Sequence, residues 1–159
     1  MDIFDRYECI FVDFDNTIYL WSYDSDNVRM AADEWIADII KGKCPYRPEG
    51  INTLLARYLK RLKETHPTVR IYLLTQSVNS IEGRLKYEFL AKNLPGIFDD
   101  GFSCGNAEDK IILLRAFEKT GVDKKHIVLI DDKVDLLKTV HAEGFIAITP
   151  QLIMEKISR

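Results

Sequence analysis

The chain of 159 residues has the length of one domain, and its 47% hydrophobic content is enough for an ordinary core. A formal charge of -3 comes from interspersed acids and bases without a basic stripe, so constitutive binding of duplex nucleic acid is not expected. Three widely spaced cysteines without a CxxC pattern indicate neither a disulfide framework nor a thiolate zinc site.

Nothing in the first residues resembles a targeting segment. The stretch 1–8 carries acids and bases where a signal peptide would have an apolar core. No run in the sequence approaches the ~20 apolar residues of a membrane span. We therefore expect a soluble cytoplasmic protein with reduced thiols and no membrane partner.

The first predicted strand is the short apolar run 10–12, which ends at Asp13. The composition changes over 19–48, which holds a polar stretch, an amphipathic segment and a loop with Gly and Pro. We interpret 19–48 as a small helical insertion, or cap, over the edge of the sheet. Its aromatic side chains either form a stacking surface for a substrate or, as is more common, pack the insertion down. These side chains are Trp21, Tyr23 and Trp35.

Beyond residue 48 the sequence alternates between helical and strand patterns. Apolar residues spaced by three and four predict helices over 51–62, 81–89 and 111–117, with a further helix after Asp131. Apolar runs predict further strands over 69–74, 127–130 and 145–148. Strands that alternate with amphipathic helices predict an α/β fold, with a doubly wound, Rossmann-like parallel sheet flanked by helices in one domain over 1–159.

The ends of the predicted helices carry typical capping residues. Asn79 and Glu82 match the pattern that opens a helix. Gly121 stands where the helix 111–117 should end, and Gly144 where the helix after Asp131 should end.

Polar side chains stand directly after three of the predicted strands. Asp13 and Asp15 follow one strand, Thr75 another, and Asp131 and Asp132 a third. Because the carboxyl ends of parallel strands meet at one edge of a sheet, these side chains are expected to converge. Acids that converge without matching arginines repel one another, and a hard divalent cation with oxygen ligands relieves that repulsion. Mg²⁺ is the natural candidate.

Residues 13–17 have the form DxDNT after an apolar strand and resemble the first motif of the haloacid dehalogenase-like (HAD) phosphohydrolase superfamily. Thr75, at the end of a strand, is similar to the second motif, and Lys110, at the start of a helix, to the third. The acidic segment 130–135 is similar to the fourth, although Ile130 stands where the commonest pattern has Gly. The motifs occur in the family's order and span nearly the whole chain.

The resemblance implies two roles for a pair of acids. Asp13 would attack phosphorus and form an aspartyl phosphate, which divides hydrolysis into two easier steps. Asp15 would protonate the leaving oxygen and later take a proton from water. In the family, the backbone carbonyl of the second aspartate also binds the metal.

The resemblance also assigns residues to the phosphate and the metal. Thr75 and Lys110 would contact phosphoryl oxygens, where charge spreads in the transition state. Asp131 fits a metal ligand because Asp135 follows it at the family's spacing, while Asp132 either joins it or orients a bound water, and the register between them stays open. Asp135 is equally well explained as an acid that favours the helix dipole. The implied catalytic residues are Asp13, Asp15, Thr75 and Lys110, the phosphate-binding residues are Phe14 (through its backbone amide), Thr75, Gln76 and Lys110, and the metal ligands are Asp13, Asp15, Asp131 and Asp132.

The implied function is that of a magnesium-dependent phosphatase acting on a phosphomonoester. Two alternatives stay open, namely phosphotransfer to an acceptor other than water, as in mutases of the superfamily, and a non-catalytic binding domain that keeps the fold. The complete set of motif residues favours an enzyme, and Asp15 favours phosphate chemistry over dehalogenation. The short insertion cannot wrap a small ligand, so bulky phosphorylated substrates are expected, such as a nucleotide, a nucleic-acid end or a phosphoprotein.

Overall fold

A five-stranded parallel sheet forms the centre of the computed structural model, which describes residues 7–21 and 32–157. Its strands in chain order are β1 (Cys9–Val12), β2 (Arg70–Gln76), β3 (Asp100–Cys104), β4 (Ile127–Ile130) and β5 (Ile146–Ile148). They lie in the spatial order β3-β2-β1-β4-β5, and all neighbouring pairs are parallel. The chain therefore winds from β1 to one edge and then to the other, which confirms the predicted doubly wound α/β fold.

Six α-helices of the described residues connect or flank the strands. They are α1 (Ala32–Ile40), α2 (Thr53–Thr65), α3 (Ser80–Asn93), α4 (Glu108–Lys119), α5 (Val134–Ala142) and α6 (Pro150–Ile157). Two short turns of 3-10 helix, Pro48–Gly50 and Lys124–His126, precede α2 and β4. Within 7–21 and 32–157, no helix has both the length and the apolar character needed to cross a membrane.

The helix ends follow the capping residues of the sequence. The side chain of Asn79 accepts a hydrogen bond from the backbone N–H of Glu82 at 2.9 Å, which confirms the predicted start of α3. Gly121 and Gly144 follow α4 and α5 with φ angles of 106° and 96°, a left-handed conformation that glycine adopts without a steric penalty.

The core lies on both faces of the sheet. Along β1, Ile10 and Val12 belong to one apolar cluster and Phe11 to the other, and β4 alternates between the same two clusters. A central strand covered on both faces needs an apolar residue at every position, which makes β1 and β4 recognisable as apolar runs.

The register of β1 with its neighbours places the candidate site. Val12 lies opposite Leu73 of β2 and opposite Ile130 of β4. One residue further, the backbone N–H of Asp13 donates to the carbonyl of Ile130 at 2.9 Å. Since β1 and β4 end at the same level, Asp13 and the acids after β4 begin side by side.

Two elements of the structure were not predicted from the patterns in the sequence. The β3 segment, DGFSC, lacks the β-branched residues typical of strands, and this edge strand exists because it pairs along its length with β2. The short helix α6 was likewise not predicted. The polar stretch of 19–48, which includes Tyr23, and the first residue of its amphipathic segment, Val28, lie outside the described residues. Helix α1 falls within 19–48, and the interpretation of that segment as a cap stays a prediction.

The close approach of α3 to β3 depends on Gly83. A Cβ atom on Gly83 would lie 2.5 Å from Cβ of Ser103, which the strand holds in place. We expect Gly83→Ala to lower the free energy of unfolding by about 1–3 kcal/mol, as overpacking does. This loss should appear although Ala is favoured over Gly within a helix by about 1 kcal/mol.

Urea denaturation measures this effect, and Ser103→Gly in the Gly83→Ala background should recover most of the loss because it removes the clashing atoms. Gly105→Ala is the matched control, since a Cβ there meets no atom within 4 Å. A Gly83→Ala protein as stable as the wild type would contradict the proposed close packing.

Candidate active site

Three carboxylates come together beyond the carboxyl ends of β1 and β4. Asp13, Asp131 and Asp132 each offer an oxygen atom, and these atoms all lie within 4.8 Å of one another. Asp13 is only 4% exposed and Asp131 is fully buried. Three acids held this close in a buried place repel one another strongly.

The ammonium of Lys110, from the first turn of α4, is bound between two of these acids. Its Nζ atom lies 2.8 Å from Oδ1 of Asp13 and 2.7 Å from Oδ2 of Asp131, and the side chain is 1% exposed. Three carboxylates thus face one ammonium, which leaves a formal excess of two negative charges. A divalent cation with a preference for oxygen ligands fits this donor set in both charge and chemistry.

The environment shifts the pKa values of these groups. Burial raises the pKa of Asp13 from 3.8 to about 7, and Asp131 adds to the rise while Lys110 opposes it. Burial and the neighbouring Asp131 also raise the pKa of Asp132. Burial alone would lower the pKa of Lys110, but Asp13 and Asp131 together raise it above its usual value. Lys110 therefore remains charged.

Asp131 and Asp132 occupy different places, although they are adjacent in sequence. Both oxygens of Asp131 are engaged, Oδ2 by Lys110 and Oδ1 by the backbone N–H of Lys133 at 2.9 Å. Asp132 is partly exposed and lines the same pocket as Asp13. Asp135 lies apart, exposed in the first turn of α5 beside a separate groove between α4 and α5.

Asp15 lies in the pocket but outside the carboxylate cluster. Its Oδ2 atom accepts a hydrogen bond from Nζ of Lys86 at 2.8 Å, and its Oδ1 atom accepts one from Nε1 of Trp21 at 3.0 Å. The turn that follows passes through Asn16, which has a φ of 57°, and Thr17 and Tyr19 both donate their backbone N–H to the carbonyl of Phe14.

Of the phosphate-binding candidates, Gln76 and Lys110 line the same pocket, whereas Phe14 and Thr75 are buried and are not among its lining residues. Thr75 is fully buried at the end of β2. Gln76 donates its side-chain amide to the carbonyl of Gly105 at 3.3 Å and accepts from Nζ of Lys133 at 2.7 Å. The ring of Phe14 is buried and stacked on Tyr19, which leaves its backbone as the part able to contact a phosphate.

Sequence reasoning missed Lys86 and the role of Glu82. Lys86 is fully buried, and its Nζ atom lies 2.9 Å from Oε1 of Glu82 and 3.0 Å from Oγ1 of Thr75. A Glu and a Lys four residues apart are usually an exposed helical pair. The available signal was their position, because 82 and 86 share the helical stripe of Leu85 and Phe89, which was predicted to be buried.

The site contains a pocket of about 280 Å³. Asp13, Asp15, Lys110 and Asp132 are among the residues that line it, whereas Thr75, Lys86 and Asp131 are not. Trp35 of α1 also lines it, so the insertion contributes at least one side chain to the pocket wall.

Known proteins resemble this chain in structure rather than in sequence. No family model and no curated protein matches it. A HAD family enzyme from Bacteroides thetaiotaomicron, BT-2542, solved in complex with magnesium and inorganic phosphate, is 16% identical and has a TM-score of 0.54 over 90% of this chain and 93% of that chain. A predicted HAD-like family hydrolase from Porphyromonas gingivalis is 17% identical, with a TM-score of 0.50 over 91% of each chain.

At these identities the likeness shows the fold. The chain has the fold of the HAD-like hydrolases, as the resemblance of its motifs predicted. The five-stranded parallel sheet flanked by helices agrees with that fold.

The raised pKa of Asp13 predicts a pH dependence of stability without metal. Between about pH 4 and pH 7 the folded protein keeps a proton on Asp13 that the unfolded chain has released, so the free energy of unfolding should fall as the pH rises through this range. Asp13→Asn should remove this part of the dependence and be more stable than the wild type at neutral pH.

Urea denaturation in excess chelator across this pH range measures both proteins. The test uses the difference between the two profiles, because groups that lie far from Asp13 titrate alike in both. Parallel profiles would show that Asp13 does not carry the shift.

Proposed function

We propose that this chain is a magnesium-dependent phosphatase that hydrolyses a phosphomonoester through an aspartyl phosphate on Asp13. The observation that carries the proposal is the pocket that Asp13, Asp15 and Lys110 share. Beside it, the clustered carboxylates of Asp13, Asp131 and Asp132 offer the oxygen ligands that Mg²⁺ prefers. The complex of BT-2542 with magnesium and inorganic phosphate supports this choice, because that protein has the same fold.

The metal would be held by acids at the ends of the two central strands. Asp13 and Asp132 line the pocket, and Asp131 is buried behind it. The backbone carbonyl of Asp15 would complete the protein ligands expected from the motif. Mg²⁺ bound there supplies charge neutralisation to the phosphoryl oxygens. We propose Asp132 as the direct ligand of the adjacent pair because it is the one that faces the pocket.

In the first step, an oxygen of Asp13 attacks phosphorus and the bond to the leaving oxygen breaks. Lys110 holds Oδ1 of Asp13 at 2.8 Å, which favours the carboxylate form and fixes the direction of the side chain. Asp15 gives a proton to the leaving oxygen, and the product is an alcohol and an aspartyl phosphate on Asp13.

In the second step, water attacks phosphorus and Asp15 takes its proton. Inorganic phosphate then leaves and the carboxylate of Asp13 is restored. Thr75 and Lys110 would contact the phosphoryl oxygens in both steps. Thr75 lies near the carboxyl end of β2 and Lys110 in the first turn of α4, on either side of the nucleophile.

The dimensions of the pocket bear on the substrate. The pocket of about 280 Å³ is open to solvent rather than enclosed, so it can receive a phosphoryl group without wrapping the rest of the substrate. We therefore propose substrates whose bulk extends beyond the pocket past Trp35, such as a nucleotide, a nucleic-acid end or a phosphoprotein.

The division of labour between Asp13 and Asp15 can be tested with one activated ester. Asp15→Asn should accumulate a phosphoenzyme with p-nitrophenyl phosphate and Mg²⁺, because the nitrophenolate leaves without a proton but the attacking water lacks its base. Asp13→Asn should form none, because it lacks the nucleophile. Intact-protein mass spectrometry detects the single added phosphoryl group.

Two controls accompany this experiment. Excess chelator should prevent the adduct, and Asp100→Asn, at an exposed acid on the edge strand, should behave as the wild type. A phosphoryl group that persists on the Asp13 variant or maps to a histidine would sink the proposed mechanism.

The charge of Lys110 should also be required. Lys110→Ala is expected to lower kcat by about 10²-fold or more, since it removes one preorganised contact to the transition state. It also removes the hydrogen bond that Lys110 donates to the carboxylate of Asp13. Steady-state kinetics measure the loss, and circular dichroism checks that the variant is folded. Wild-type rates in this variant would mean that another cation fills the role.

A further inference from the structure

We infer that Lys86 is the positioning residue of the proton-transfer half of the site, holding the carboxylate of Asp15 and the hydroxyl of Thr75 in their working orientations. The inference rests on the proposed phosphatase reaction and adds a residue that lies outside the four motifs. Lys86 does not line the pocket and is fully buried, so it acts through its neighbours rather than on the substrate.

The surroundings of Lys86 exceed what its own charge requires. Lysine is almost never fully buried unless it is paired, and Glu82, which is 2% exposed, already supplies a matching carboxylate at 2.9 Å. Glu82 is itself held by the backbone N–H of Val78 at 2.6 Å. The further contacts to Asp15 and Thr75 are therefore not needed to neutralise Lys86.

The contact with Asp15 restrains a side chain that would otherwise be free to turn. Asp15 is 37% exposed in its side chain, and Lys86 and Trp21 each hold one of its two oxygens. With both oxygens held, the carboxylate cannot rotate toward solvent without losing a hydrogen bond. Proton transfer needs a donor placed within hydrogen-bond reach of the leaving oxygen, so this restraint bears directly on the first step.

The contact with Thr75 sets the direction of a hydroxyl proton. An ammonium has only donors, so Oγ1 of Thr75 must be the acceptor in the 3.0 Å contact with Lys86. The hydroxyl hydrogen must then go to another acceptor, which is the carbonyl of Gln76 at 3.2 Å, and that carbonyl also accepts from Lys86 at 2.9 Å. Without Lys86, the hydroxyl would lose its donor and could turn to other acceptors.

Lys86→Met tests the inference through its dependence on the leaving group. Phenyl phosphate needs a proton on its leaving oxygen far more than p-nitrophenyl phosphate does. If Lys86 positions Asp15, the fold-loss in kcat/KM on phenyl phosphate should exceed the fold-loss on p-nitrophenyl phosphate by a factor of about ten or more. A factor of this size is compatible with the usual contribution of general acid catalysis. Asp15→Asn should show the same selective loss.

Lys63→Met is the matched control. Lys63 is a mostly buried lysine at the opposite end of the sheet, paired with Asp99 and bonded to the carbonyl of Val69 at 2.8 Å. Its loss should affect stability and leave the ratio of the two rates unchanged. An equal loss on both esters in Lys86→Met would overturn the inference, because a purely structural role or a uniform loss of phosphate binding does not distinguish the leaving groups.

A second variant addresses the buried Glu82 that Lys86→Met leaves unpaired. Glu82→Gln combined with Lys86→Met removes both charges, and the selective loss should persist in it. Combining Asp15→Asn with Lys86→Met should add no further selectivity to that of Asp15→Asn, because the two residues act as one unit. Added selectivity would overturn the inference, whereas a wild type that hydrolyses neither ester would overturn the proposed function itself.

Discussion

The buried contact of Lys110 with Asp13 and Asp131 is the interaction on which the rest of this site depends. The parallel pairing of β1 with β4 forces two acids together beyond the strand ends, and among the described residues the ammonium of Lys110 is bound to both. Such an arrangement is costly for the folded chain, and buried, perturbed carboxylates of this kind are typical of functional sites. The hydrophobic core on both faces of the sheet stabilises the fold enough to offset the repulsion between these buried acids.

Two buried lysines divide the site into two halves. Lys110, from α4, belongs to the side of the proposed nucleophile and metal ligands, whereas Lys86, from α3, belongs to the side of Asp15 and Thr75. The two helices cover opposite faces of the sheet, so each half is built from its own layer of the fold. Strand β1 connects the two halves, because Asp13 and Asp15 both follow it and lie two residues apart. The side chain of Asp13 is bound by Lys110 and that of Asp15 by Lys86.

The sequence predicted what depends on short-range pattern. The central strands were visible as apolar runs and Asp13, Thr75 and Asp131 as polar residues at strand ends, because these features need only neighbours in the chain. Strand β3 was missed because its five residues become a strand only through pairing with β2. Lys86 was missed because its burial depends on where α3 lies against the sheet. The proposed choice of Asp132 over Asp131 depends on which side chain lines the pocket and which is buried, and the order of the two acids in the sequence does not show this.

The register between β1 and β4 also has a consequence for synthesis of the chain. Strand β1 is made first and its partner β4 among the last elements, so the centre of the sheet is closed by a contact of long sequence separation. Contacts of this kind form late and slow folding, since the intervening chain must first be brought together. A nascent chain that ends before β4 has β2 as a partner for β1, but it leaves the opposite edge of β1 unpaired and lacks Asp131 and Asp132. Assembly of the acidic centre therefore awaits synthesis of residue 132, and that edge of β1 stays open to wrong partners until then.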